Sequence, residues 1–105
     1  MRWPPLPKTV PAPRGPVAVK FATGMKKEMG KYDPNTRTIS ISKGIKRSMA
    51  WDTLFHEMYH LWTAESGANL YTILDEQHHD LNEDIAEAVA LGLIHFMPTY
   101  LKEHE

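Results

Sequence analysis

Two histidines four residues apart, His56 and His60, enclose a glutamate in the string His56-Glu57-Met58-Tyr59-His60. On an α-helix a four-residue step turns the chain by about 400°, so both imidazoles emerge on one face, one turn apart, where they can share a metal ion. Glu57 is then placed to take a proton from water activated by that ion and pass it to a leaving amine. Random placement of the six histidines and eight glutamates of this 105-residue chain would produce the pattern in roughly 2–3% of cases, so the rest of the sequence has to decide whether it carries chemistry.

Catalytic zinc takes three protein ligands and keeps a further position for water. The chain has no cysteine, so every ligand must be His, Asp or Glu. A metzincin would carry a glycine where Thr63 stands and a histidine where Ser66 stands, so the third ligand must come from further along. Glu83 and Glu87 lie one turn apart at the start of a second helical stretch, with Asp84 rotated away by about 100°. Glu83 is the favoured ligand. Glu87 is the alternative, or a carboxylate that orients the other ring nitrogen of one histidine. Tyr59, Tyr71, His78 and His79 are candidates for stabilising an oxyanion. His78 and His79 are weaker as ligands, because adjacent histidines in a loop point in different directions.

The elements that must hold these groups can be read from periodicity. A helix is expected from about residue 48 to 66, stopping at Gly67, with Leu54, Phe55, Met58, Leu61 and Trp62 within an arc of about 120° as its core stripe. His56 and His60 fall roughly 160–200° from the centre of that stripe. Asn82 reads as the N-cap of a second helix, with Glu83 and Asp84 in its first turn. Its apolar face is Ile85, Ala86, Val89, Ala90, Leu93, Phe96 and Met97, and Pro98 ends or closely follows it. Ahead of the helices, residues 16–21 and 37–42 alternate as strands around a turn at residues 32–36, where Asp-Pro starts the turn and Asn35 tolerates a left-handed backbone. These segments predict an α+β domain with a small antiparallel sheet over residues 17–105, preceded by a proline-rich, extended arm at residues 1–16. A strand such as residues 37–42 would offer its edge to an extended peptide.

Composition narrows the function. With 42% hydrophobic and 24% charged residues the chain is ordinary for one globular domain. A formal net charge of −1 argues against nucleic acid or an anionic membrane as the main partner. The absence of cysteine suits a reducing cytosol, and residues 1–16 do not resemble a signal peptide, so a cytoplasmic location is expected.

The succession GKYDPNTRTISIS, TLFHEMYHLW and LNEDIAEAVALGL, with a proline shortly after, resembles the small zincin-like metallopeptidases of phages and prophages. These are related in plan to the SprT-like and ImmA/IrrE-type peptidases. The likeness covers roughly residues 17–100, and its specific part is the HExxH string with a later acidic helix. It implies a minimal zincin-like fold, His56, His60 and Glu83 as Zn²⁺ ligands, and Glu57 as catalytic acid/base. A register matching the Glu87-Ala88-Val89 segment would select Glu87 instead. The expected partner is a peptide or protein substrate. The competing reading is a catalytically silent, zinc-stabilised interaction module of the same fold, and a third is a metal-free helical interaction domain.

Overall fold

The computed structural model describes residues 3–25, 28–66 and 72–103. Four strands, β1 (Thr9–Val10), β2 (Val17–Ala22), β3 (Gly30–Asp33) and β4 (Thr38–Ser42), precede two long helices, α1 (Arg47–Glu65) and α2 (His79–Glu103). A π-helical turn, Thr72–Gln77, leads into α2. The protein is α+β. No helix among the described residues is long and apolar enough to cross a membrane.

The sheet is mixed, not antiparallel, with strand order β1-β2-β4-β3. β2 and β4, the two strands legible in the sequence, pair in parallel, whereas β1 with β2 and β3 with β4 are antiparallel. The reason is β3, a four-residue strand hidden between a glycine that reads as a breaker and an Asp-Pro that reads as a turn. β3 and β4 form a hairpin, and the chain must cross from β2 to reach it, so β4 returns in the direction of β2. The turn carries its left-handed residue at Arg37 (φ 51°), while the Asn35 N–H donates to Asp33 Oδ1 at 2.9 Å. Arg37 is held there because its guanidinium pairs with the Glu65 carboxylate and donates to the Gly15 carbonyl. The Arg14 N–H donates to the same carboxylate, so the hairpin turn, the arm and the C-terminal end of α1 are tied at one point. The Arg37 bond holds the Glu65 carboxyl below its ordinary pKa.

Ile39 and Ile41 of β4 are completely buried, and with Val10, Val17, Tyr32, Leu54 and Leu61 they form the core between sheet and α1. α1 starts on the Lys46 carbonyl, which accepts from the Ala50 N–H, and no side chain caps it. Its C-cap is Ser66, and the expected stop at Gly67 lies outside the described residues. The expected single core stripe is a simplification. Leu54, Phe55 and Leu61 are buried, Met58 is half-buried and Trp62 is exposed, yet Thr53, Glu57, His60 and Thr63 are also buried. α1 packs against β3, β4 and α2, and the arm lies along it as well. The Trp51 and Trp62 indole N–H groups donate to the Pro4 and Pro11 carbonyls. A helix covered on three sides buries polar positions along with apolar ones, so its pattern departs from one-faced amphipathicity.

α2 begins three residues before Asn82, with the His78 carbonyl accepting from the Asn82 N–H. It also continues through Pro98 to Glu103, although proline removes one helical hydrogen bond and opposes the helix by about 3 kcal/mol. Phe96 and Tyr100, one on each side of Pro98, keep their rings in contact at 5.8 Å.

Gly30 has a specific packing role. A Cβ there would collide with the Thr53 methyl and lie 3.2 Å from the Ser40 carbonyl and 3.4 Å from Glu57 Cγ. Gly30→Ala should therefore lower stability by about 1–3 kcal/mol. Adding Thr53→Ser, which deletes the colliding methyl, should restore part of the loss, as read from urea unfolding midpoints of the single and double variants.

Candidate metal centre

α1 supplies His56, Glu57 and His60 from just over one turn, and α2 crosses it so that Glu83 faces both histidines. The Glu83 carboxylate bridges them, with Oε2 at 2.9 Å from His56 Nε2 and Oε1 at 3.0 Å from His60 Nε2. The two Nε2 atoms are 3.3 Å apart. Zinc bonds of about 2.0–2.1 Å in tetrahedral geometry place neighbouring donor atoms about 3.3 Å from one another, close to what is found here. Among the described residues this triad is the cluster of His, Asp and Glu side chains whose donor atoms, all within 4.8 Å, could hold one ion. Two imidazole nitrogens and a carboxylate oxygen form a donor set that suits zinc.

Glu83 is thus the glutamate that reaches the histidines. Glu87, one turn further on, lines a neighbouring recess with Glu28 and Asp52. Asp52 is raised above its ordinary pKa by burial and then by the nearby Glu87.

Asn82 caps nothing. It is completely buried within α2, and its Oδ1 accepts from the Tyr59 hydroxyl at 2.7 Å. Because Glu83 is the next residue, this bond fixes the rotation and height at which α2 presents its carboxylate. The Tyr59 ring stands edge-on to His60, and burial together with Glu83 raises the Tyr59 pKa. His79, the first residue of α2, borders the cleft, whereas exposed His78 does not, and Tyr71 lies outside the described residues.

The cleft over the triad has a volume of about 300 Å³ and is closed on one side by β3 through Gly30, Lys31 and Tyr32. The sequence shows no strand periodicity here, and Tyr32 reads as the start of the turn at residues 32–36. β4 is interior to the sheet and has no open edge. β3 is the margin, paired only with β4 among the described strands.

Glu57 lies under β3, with its side chain 10% exposed and Oε2 4.0 Å from His56 Nε2. Burial pushes its carboxyl from the usual 4.5 to about 7, against the opposing pull of His56 and of the Tyr32 N–H, which donates to it. Desolvation wins because β3 removes most of the water that would stabilise the anion.

No protein-family model matches the chain, nor does any curated protein or solved structure, so the site stands on its own geometry.

Two outcomes follow from this arrangement. Glu83→Ala should weaken metal uptake by about a hundredfold or more, and Glu87→Ala by less than about tenfold, in titrations against a competing chelator. In the metal-free chain Glu57 keeps its proton to a higher pH when folded than when unfolded, so it opposes folding increasingly as pH rises from 4.5 to about 7, and fully above that. The stability advantage of Glu57→Gln over the parent should therefore grow between about pH 4 and about pH 8, by on the order of 1–3 kcal/mol, in melts of chelator-treated protein.

Proposed function

We propose that this protein is a zinc-dependent metallopeptidase with a zincin-like fold, hydrolysing a peptide bond of a peptide or protein substrate. The observation that carries this reading is the convergence of His56, His60 and Glu83 at the floor of a cleft that also holds the buried carboxylate of Glu57 and is flanked by the open edge of β3.

Bound to the triad, zinc supplies a Lewis acid that acidifies water and polarises a carbonyl. The protein's own groups perform the rest. An extended peptide can add to the outer edge of β3, which lays the scissile bond along the cleft. Glu57, with a pKa of about 7 in the metal-free chain, suits a group that both accepts and returns a proton near neutral pH. It takes the proton of the attacking water and delivers it to the departing amine. His79 stands one turn before Glu83 on the same helix and borders the cleft, and is a candidate donor for the developing oxyanion. The Tyr59 hydroxyl is committed to Asn82 and is not that donor.

Protein purified without a His tag should contain about one equivalent of zinc by elemental analysis, lost in His56→Ala. Glu57→Gln should retain the zinc and lose at least about a hundredfold in cleavage of a responsive peptide from a broad library. Cleavage at the parental rate in Glu57→Gln would show that the mechanism is wrong. Full zinc with no metal-dependent cleavage in the parent would favour a zinc-stabilised binding module.

A further inference from the structure

α2 is 25 residues long and only one line of it, Asn82, Ala86 and Ala90, is fully buried. Beside that line runs a second, apolar one. At 100° per residue, Leu81, Ile85, Val89, Gly92, Phe96 and Tyr100 fall within an arc of about 100°, centred about 150° from Glu83. All five side chains are exposed, from 36% at Ile85 and Val89 to 56% at Phe96. A continuous apolar stripe of this kind on a soluble surface marks a contact face.

The stripe is complementary to itself. Its N-terminal half is aliphatic and its C-terminal half aromatic. If two copies pair antiparallel about a two-fold axis near Gly92, Ile85 meets Tyr100 and Val89 meets Phe96 of the second copy. Gly92 then lies at the axis, where two helices approach most closely. Its own chain does not require a glycine there, since no atom lies within 4 Å of where its Cβ would sit, and glycine inside a helix is unfavourable without a reason. The charges agree as well. Asp84 and Lys102 are exposed, about five turns apart, and on the same flank of the stripe. A two-fold axis normal to the plane of the paired helices sets each flank against its own copy in reverse. That places Asp84 beside Lys102 of the second copy, twice per pair, whereas a parallel arrangement would not.

We propose that this face of α2 is the interface of an antiparallel homodimer. The metal cleft lies on the other flank of α2 and stays open in it. Sedimentation equilibrium of the full chain is expected to return twice the 12.0 kDa chain mass. Phe96→Glu and Gly92→Lys should each return a single chain mass, with far-ultraviolet circular dichroism and metal content unchanged. Gly92→Lys also improves helix propensity, so its loss of dimer cannot be put down to a weakened fold. Asp84→Lys should loosen the dimer about fivefold, and adding Lys102→Asp should restore it. A parent that remains a single chain at its highest soluble concentration would overturn the proposal and assign the face to another partner. A dimer indifferent to Phe96→Glu and Gly92→Lys would place the interface elsewhere, and a charge swap that fails to recover the dimer would overturn the antiparallel pairing.

Discussion

The close approach of α2 to α1 is the constraint on which the rest of the molecule depends. It is made possible by small side chains, since Asn82, Ala86 and Ala90 recur every fourth residue and are all buried against the neighbouring helix. A larger residue on this line would push α2 outward, and a cluster whose donor atoms lie within 4.8 Å would open. Close approach alone would still allow α2 to slide or rotate. The Tyr59–Asn82 hydrogen bond removes that freedom, because it joins the residue before Glu83 to the residue before His60. One partly buried polar pair therefore sets the register of the polar triad beside it, and losing the Tyr59 bond to the fully buried Asn82 would be unfavourable.

The cleft couples this helix pair to the sheet. β3 crosses over α1 at Gly30, its first residue, close enough to touch Thr53 and Glu57, and a tight turn ends it at Asp33. Its closeness has two effects that pull in opposite directions. It strips water from Glu57, which favours the neutral acid, and it supplies the Tyr32 N–H, which favours the anion. Burial is the larger effect, so the carboxyl is pushed up to about 7. The same strand is the margin of the described sheet, with β4 on one side of it.

The proline-rich arm is part of the domain as folded. Proline lacks an N–H yet keeps its carbonyl, and the carbonyls of Pro4 and Pro11 accept from two tryptophans of α1. Thr9–Val10 adds a strand to β2, and Val10 is buried in the core. Trp3 and Phe55 flank Trp51 with ring centroids 6.1 and 5.5 Å away, which extends the cover along α1. The arm thus occupies the side of α1 that neither the sheet nor α2 reaches.

Local pattern in the sequence determined the helical placement of His56, Glu57 and His60, the α+β class, the strands around Val19 and Ile39, and two candidate glutamates. Each of these depends on periodicity or spacing within one element, which a linear chain displays directly. Tertiary contact decided the remainder. Glu83 and not Glu87 meets the histidines because the α1–α2 crossing selects one turn of α2. Asn82 is a buried partner of Tyr59 and not a cap because the helix begins earlier, on the carbonyl of His78. β2 and β4 are parallel because a strand too short to show periodicity lies between them in the chain. The protonation of Glu57 depends on β3 lying over it. Apart from the early start of α2, these are set by pairs of residues distant in sequence, whose relation exists only after the chain has packed.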